Sequence, residues 1–488
     1  MNIKKKFEIC VEDDCAEICS KCVEEDYIKK KLVYKNYDQS NAYFHILTQV
    51  FYSKKIISFY KIIFDKKIYN SNVFEVSSYE EELVVKNLLN KFNVKKIKIL
   101  RKKNYFCSLK IVFLKLLVIM TDQPFLDFSK KEKNKDIILC FSKNENEKKN
   151  FDLYLNNTNL KKIFFSINLI FFLKNINISK KILNFNEYVK ESESVEILKL
   201  HLKMNLIENI ANKISPKLIL FFEGDNDKCE IINLVAKKKN IKSICLQWGV
   251  FVVPTPKASF RKINSDYLFV WGDFYKKKFS RYNKKTKIFV SGNPTLNEKK
   301  NKITTGHTIS FFLSRSHLFS NFDINDFKKI MVWLKKNFIK YKKIIRPHPF
   351  DTQSSFDLKS DLYKNFIFHD PHKIPIYETI NESSIMMTIS SSSVIESGRI
   401  GTIPILVNNS NFSYEDSIEK LRNINNIKLI GSSKVIKKTL IKIFNDNQIR
   451  NNLKNKIMKL FNVNIKYIGN ESQKIIANKI NNILNKCI

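Results

Sequence analysis

Glycine is scarce: there are nine in 488 residues, and none precedes Gly224. Residues 1–130 also hold a single proline, Pro124. The usual punctuation of turns is missing there, and the hydrophobic pattern supports only a strand, helix, strand unit at 73–76, 79–92 and 96–100. Long apolar runs are absent too. The greasiest stretches, 111–120 and 163–173, fall well short of the ~20 residues of a bilayer span, and Lys115 interrupts the first. The opening Met1-Asn2-Ile3-Lys4-Lys5-Lys6 leads into acidic sequence rather than an apolar core, so no secretory signal is read. A cytoplasmic protein is expected, with peripheral contact to the anionic inner face of a membrane as an option.

Acidic residues are outnumbered, 47 against 86 lysines and arginines, giving a formal charge of +39. Such a charge draws a protein toward anionic partners. The lysines are spread through predicted helices, as on a solvated face, with no uninterrupted basic tail. No nucleic-acid partner is expected. Cysteine is used as in a reducing compartment, with Cys140 and Cys245 inside strand-like runs as small hydrophobes. Cys10, Cys15, Cys19 and Cys22 have a spacing that could close around zinc. Structural zinc sites usually separate two close pairs by a longer loop, so plain reduced thiols are the expectation.

What the chain does contain is apolar and aromatic residues, 44% and 12%, enough for two or three domains with sizeable cores. Strand-like runs at 137–141, 162–165, 218–222, 243–246, 267–271 and 288–290 alternate with helical stretches at 145–155, 195–214 and 227–238. After a polar linker at 299–305 the alternation restarts, with strands at 308–313, 343–346, 366–368, 385–389 and 405–407 and a helix at 326–341. Helices fill 434–445 and 448–484, broken at Gly469. This predicts an α/β protein with two doubly wound, Rossmann-like lobes facing a cleft. The divisions are a poorly defined α/β part at 1–130, a first lobe at 131–300, and a second lobe at 306–488 that includes the C-terminal helices.

Two segments read as strand ends opening into the cleft. Ile385 to Ile389 is a buried strand, Ser390-Ser391-Ser392-Ser393 its exit, and Val394 onward a helix. Ser393 and Glu396 are spaced as a capping box with Ser393 as N-cap. Hydroxyls beside unpaired helix N–H groups suit a phosphate. The other segment is Arg346-Pro347-His348-Pro349. Each has an ordinary alternative, a helix cap or a stiffened turn. His369 and His372, near Pro371, read as exposed loop residues.

Together with Gln247-Trp248-Gly249, Ser291-Gly292-Asn293-Pro294 and Gly401-Thr402-Ile403-Pro404-Ile405, these segments follow the order and spacing of GT-B-type glycosyltransferases of bacterial surface polysaccharides. The chain resembles that group over residues 217 to 410, including its capsule polysaccharide, polysialyltransferase-like and CDP-glycerol polymer transferase branches. The resemblance implies transfer of a sugar from a nucleotide-activated donor, CMP-linked in one branch, to a growing surface glycan such as capsule or lipopolysaccharide. The acceptor would be a glycan or lipid-linked glycan. It assigns donor contact to His348, Pro349, Ser391 and Ser392, and the adjoining Arg346, Ser393 and Glu396 are read as donor-binding beside them. Gly224, Gln247, Trp248, Gly249, Gly292 and Asn293 would line the cleft.

For the base that takes the acceptor proton, Glu223 and Asp225 flank Gly224 at a strand exit. The sialyltransferase branch has two acidic residues followed by glycine, so which of the two acts stays open, and Asp225 could instead cap the next helix. Related chains often have Gln-His-Gly where this one has Trp248, and indole cannot accept a proton. Asp225-Asn226-Asp227 lies on the lobe opposite the expected donor, so transfer without a metal or other cofactor is expected. A sugar-nucleotide 2-epimerase of the same fold and a basic, non-enzymatic polyanion-binding protein are the alternatives.

Overall fold

The computed structural model describes residues 17–34, 36–54, 73–76, 79–91, 98–101, 137–142, 145–165, 195–224, 226–249, 258–297, 308–313, 321–348, 361–408 and 414–485. Cys10, Cys15, Asp225, Pro349 and the linker at 299–305 lie outside them.

Residues 17–24 are helical, and α1 (Asp26–Leu32) leads into a hairpin of β1 (Val33–Tyr34) and β2 (Tyr37–Asp38). Next come α2 (Ser40–Lys54), β3 (Val73–Val76), α3 (Tyr79–Lys91) and β4 (Lys98–Arg101), with β3 and β4 parallel as a strand, helix, strand unit requires.

The first large sheet uses β5 (Ile137–Phe141), β6 (Lys161–Phe165), β7 (Leu218–Phe222), β8 (Lys242–Leu246), β9 (Tyr267–Val270) and β10 (Lys287–Val290). Its helices are α4 (Glu145–Tyr154), α5 (Val195–Ile214), α6 (Asp227–Lys238) and α7 (Asp273–Ser280). The strands are all parallel, in the order β6-β5-β7-β8-β9-β10. Leu218 to Phe222 is buried throughout, as a strand covered on both faces must be.

The second sheet holds β11 (Thr308–Phe312), β12 (Lys342–Arg346), β13 (Ile367–Phe368), β14 (Ile385–Thr388), β15 (Ile403–Val407) and β16 (Ile430–Gly431). It is also parallel, in the order β13-β12-β11-β14-β15-β16. Its helices are α8 (Asn321–Asn337), α9 (Ile376–Glu382), α10 (Ser393–Arg399), α11 (Asp416–Glu419), α12 (Ser433–Asn445) and α13 (Asn447–Phe461). Two doubly wound, Rossmann-like sheets are thus present, as the alternating pattern predicts.

The last helix, α14 (Gly469–Asn485), departs from the expected division. It returns to the first sheet, where Ile476, Ile480, Ile483 and Leu484 pack with Ile138, Phe222, Leu246 and Phe269. Its apolar positions recur at helical spacing, so one stripe meets the sheet, and each buried side chain stabilises by roughly 1.5 to 3 kcal/mol. Sequence order places this helix in the second lobe, but the first sheet has the uncovered face. No described helix is long and apolar enough to cross a membrane.

Candidate functional site

Ligands of doubly wound sheets bind outside the carboxyl ends of the strands, where the strand order reverses. In the first sheet that point lies between β5 and β7, and the chain leaves β7 through Glu223 and Gly224. In the second it lies between β11 and β14, and the chain leaves β14 through Ile389 into the serine run. The two most chemical stretches of the sequence thus occupy equivalent positions on the two sheets.

Glu223 and Gly224 both have left-handed backbones, φ +72° and +69°. For glutamate this costs about 1 to 3 kcal/mol, and such strain persists only where the surroundings impose it. Here Glu223 N donates to the Leu246 carbonyl at 3.1 Å and Gly224 N to the Phe222 carbonyl at 3.0 Å. A Cβ on Gly224 would lie 2.6 Å from Cys245 Sγ. The turn leaves Glu223 half-buried at the carboxyl end of the sheet. The cap of α6 is Asn226, whose side chain accepts from Cys229 N at 3.0 Å. The capping role considered for Asp225 therefore belongs to its neighbour, and Asp227 pairs with Lys203.

Of the Gln247-Trp248-Gly249 triplet, Gln247 is framework rather than lining. It is buried, donates from Nε2 to the Gly249 carbonyl at 2.7 Å and accepts from Trp271 N at 2.9 Å. Tyr154 donates to the Gln247 carbonyl at 3.3 Å and accepts from Trp271 Nε1 at 3.0 Å. Trp248 is 37% exposed and stands edge-on to Phe222, centroids 4.9 Å apart. Gly249 is exposed as well. These two are available to a ligand.

At the second reversal point, the Ser391 and Ser393 hydroxyls share a hydrogen bond of 2.6 Å, and Ser393 N donates to Ser391 Oγ at 3.3 Å. The expected capping box is not formed. Ser392 precedes the helix with a helical φ of −59° and no capping bond, which moves Ser393 inside α10, where it is buried. Ser391 and Ser392 stay half-buried at the strand exit. Glu396, freed from capping, is 8% exposed, and burial pushes its carboxyl up to about 7. Burial also raises the Tyr154 and Tyr275 phenols of the first lobe, and the Glu396 charge adds to both shifts.

His348 is half-buried, two residues past β12. Arg346 does not stand with it. It is 6% exposed and donates from one terminal nitrogen to the Ile374 carbonyl at 2.7 Å and to Thr379 Oγ1 at 3.3 Å. Burial brings its guanidinium down to about 10. Its surroundings make it a staple holding α9 against β12, in place of the expected donor contact. His369, expected to be exposed, is buried against the same helix, with Nδ1 3.0 Å from Thr379 Oγ1. Burial, then Arg346, lowers its imidazole. His372 is exposed as expected.

Gly292 and Asn293 are not cleft residues. Asn293 is 1% exposed and donates from its backbone to the Tyr467 carbonyl at 2.9 Å, while its side chain accepts from Thr295 N and Oγ1. Gly292, φ +81°, passes so close to Tyr467 that a Cβ would overlap that carbonyl. Residues 463–468 are what they hold. Lys466 N donates to the Trp271 carbonyl at 2.9 Å, and Arg399, at the end of α10, reaches the same segment. The return segment to α14 is therefore clamped from both lobes. Sequence reasoning missed Tyr154, Trp271 and Arg399, because the bonds from Tyr154 to Gln247, Trp271 to Tyr154 and Arg399 to Ile465 join distant parts of the chain.

Cys19 and Cys22 are buried in the helical amino-terminal part, and burial pushes the Cys22 thiol up to about 11, away from the thiolate a metal needs. Among the described residues no cluster of three or more His, Cys, Asp or Glu could hold a metal.

No family model matches the chain. No curated protein matches it either. Among solved structures it is similar to a UDP-GlcNAc 2-epimerase from Neisseria meningitidis bound to UDP-GlcNAc, at 17% identity over 71% of this chain and 99% of that one, TM-score 0.46. A putative UDP-N-acetylglucosamine 2-epimerase from Listeria monocytogenes is 12% identical over 72% and 98%, TM-score 0.49. A variant of the wall teichoic acid polymerase TagF is 14% identical over 77% and 94%, TM-score 0.45.

Proposed function

We propose that the chain is a sugar-nucleotide-dependent transferase that holds its donor at the reversal point of the second sheet and activates an acceptor hydroxyl from the first. The observation that carries this reading is the matched placement of Glu223 and the Ser391–Ser393 pair at the two reversal points. The motif order supports the substrate class.

In this reading the donor phosphates lie on the hydroxyls of Ser391 and Ser392, with His348 past the end of β12, two strands away across β11. Glu396 starts with a carboxyl poised near 7. A bound phosphate raises it further through like-charge repulsion, so it meets the donor as a neutral acid able to donate a hydrogen bond. Glu223 takes the proton as the acceptor oxygen attacks the anomeric carbon, while the nucleotide leaves with the bonding electrons. Closure of the cleft keeps water from competing. Trp248 and Gly249 border the acceptor side. The acceptor is a glycan end, free or lipid-linked.

The test is a thermal-shift screen of CMP-, UDP-, GDP- and CDP-activated donors, followed by nucleotide-release assays with and without candidate acceptors. The reading predicts that one donor class stabilises the protein, less so in Ser391→Ala/Ser392→Ala, and that release depends on acceptor. A donor altered without any acceptor would mark an epimerase instead. A protein that no nucleotide sugar stabilises contradicts the proposal.

A further inference from the structure

We infer that a groove at the amino ends of β9 and β10 is a second saccharide site, which binds an acidic glycan outside the catalytic cleft. It has a volume of about 510 Å³ and is lined by Tyr267, Lys287, Phe289, Lys479, Asn482 and Ile483, among others. That lies within the range of ~300 to 1,000 Å³ typical of small-ligand sites.

The topology builds it. β10 is the edge strand of the first sheet, and Tyr267 pairs with Lys287 while Phe269 pairs with Phe289. Side chains alternate along a strand, so Tyr267 and Phe289, on adjacent strands and offset by two positions, share a face. Their rings are stacked, with centroids 5.9 Å apart and planes 20° from parallel, and both are only half-buried, so part of their apolar surface faces the groove. The last turns of α14 form the opposite wall. Lys479 Nζ stands 5.0 Å from the Phe289 centroid, and Asn482 is exposed one turn further on.

Each component matches a part of an acidic sugar. The half-exposed aromatic rings suit the C–H groups of a pyranose ring, the asparagine amide can both donate to and accept from hydroxyls, and the two ammonium groups select a carboxylate or phosphate. Among the described residues no carboxylate lines the groove to oppose them. A nucleic acid would call for a track of phosphate contacts along the surface, which a bounded groove does not offer. The groove lies at the amino ends of β9 and β10 whereas Glu223 follows the carboxyl end of β7, so it would retain a glycan without occupying the cleft. The inference does not depend on the reading of the cleft.

The test uses the full chain with a sialic acid trimer, a hyaluronan tetrasaccharide, neutral maltotetraose and a short single-stranded DNA as probes, in calorimetric titrations. Lys287→Glu/Lys479→Glu is compared with Lys420→Glu/Lys438→Glu, an equal charge change placed elsewhere. The expected result is binding of at least one acidic saccharide to wild type and to the control, at least tenfold weaker in the groove variant, with no binding of maltotetraose. Donor-induced thermal shifts should be equal in all three proteins, which separates failure here from failure of the proposed transferase. Absence of acidic-saccharide binding, equal binding by the groove variant, or a DNA affinity that falls in step with saccharide affinity would overturn the inference.

Discussion

Arg399 donates from Nε to the Ile465 carbonyl at 2.7 Å and from a terminal nitrogen to the Lys466 carbonyl at 3.2 Å. A residue at the end of the helix that follows the serine run thus grips the segment that Trp271 and Asn293 hold from the other lobe. Arg399→Ala leaves two carbonyls without these donors and should lower unfolding free energy in urea by about 1 to 3 kcal/mol. Arg399→Lys keeps the charge without the fork and should recover only part of that. An unchanged midpoint in Arg399→Ala would show the clamp to be idle.

Gly292 and Gly249 offer a paired comparison. Gly292→Ala places a Cβ against the Tyr467 carbonyl at φ +81° and should cost at least about 2 kcal/mol, seen as a lower Tm in calorimetry. Gly249→Ala meets nothing within 4 Å and should stay within about 0.5 kcal/mol of wild type. Equal Tm values for the two variants would count against the account of the return segment.

Glu396 makes stability depend on pH. Its folded value of about 7 lies above the ordinary 4.5, so the folded state holds the proton more tightly. The resulting stabilisation is fully present below pH 4.5 and is lost as pH rises through about 7, a span on the order of 3 kcal/mol. Glu230, pushed up to about 7 by burial, acts in the same direction, and His45, brought down to about 4 by burial, opposes it. Glu396→Gln removes one carboxyl, so its stability relative to wild type should rise between pH 4.5 and 7.5. Parallel pH profiles for the two proteins would contradict the assigned burial.

His348→Ala should leave the unfolding transition in place, since a half-buried residue past the end of β12 adds little to the core. If the imidazole meets the departing phosphate, turnover should fall by roughly 2 to 4 kcal/mol of barrier, the scale of a lost oxyanion donor. Steady-state kinetics with a saturating donor measures this.

The inner strands of both sheets were legible because each is buried on both faces and reads as an apolar run, as Leu218 to Phe222 and Ile385 to Thr388 do, whereas the short edge strand β16 and helix α9 carry too few apolar residues to show a period. The switch-point residues were legible because glycine and serine mark strand exits. What sequence could not show was orientation. Arg346 and His348 are two positions apart, yet one is turned into α9. Ser393 and Glu396 have capping-box spacing, yet the helix begins one residue early. Gly292 and Asn293 look like a ligand loop because an approaching backbone demands the same small residue whether it belongs to a ligand or to Tyr467.

The central claim is that the strained Glu223 activates an acceptor across from a donor held by the serine run. The most direct measurement compares Glu223→Gln with wild type for both donor affinity and acceptor-dependent nucleotide release. The substitution keeps the size and turn geometry of the side chain and removes only the basic oxygen. Donor affinity within about twofold of wild type, with turnover at least about a hundredfold lower, is the predicted result. Turnover equal to wild type at unchanged donor affinity would contradict the account.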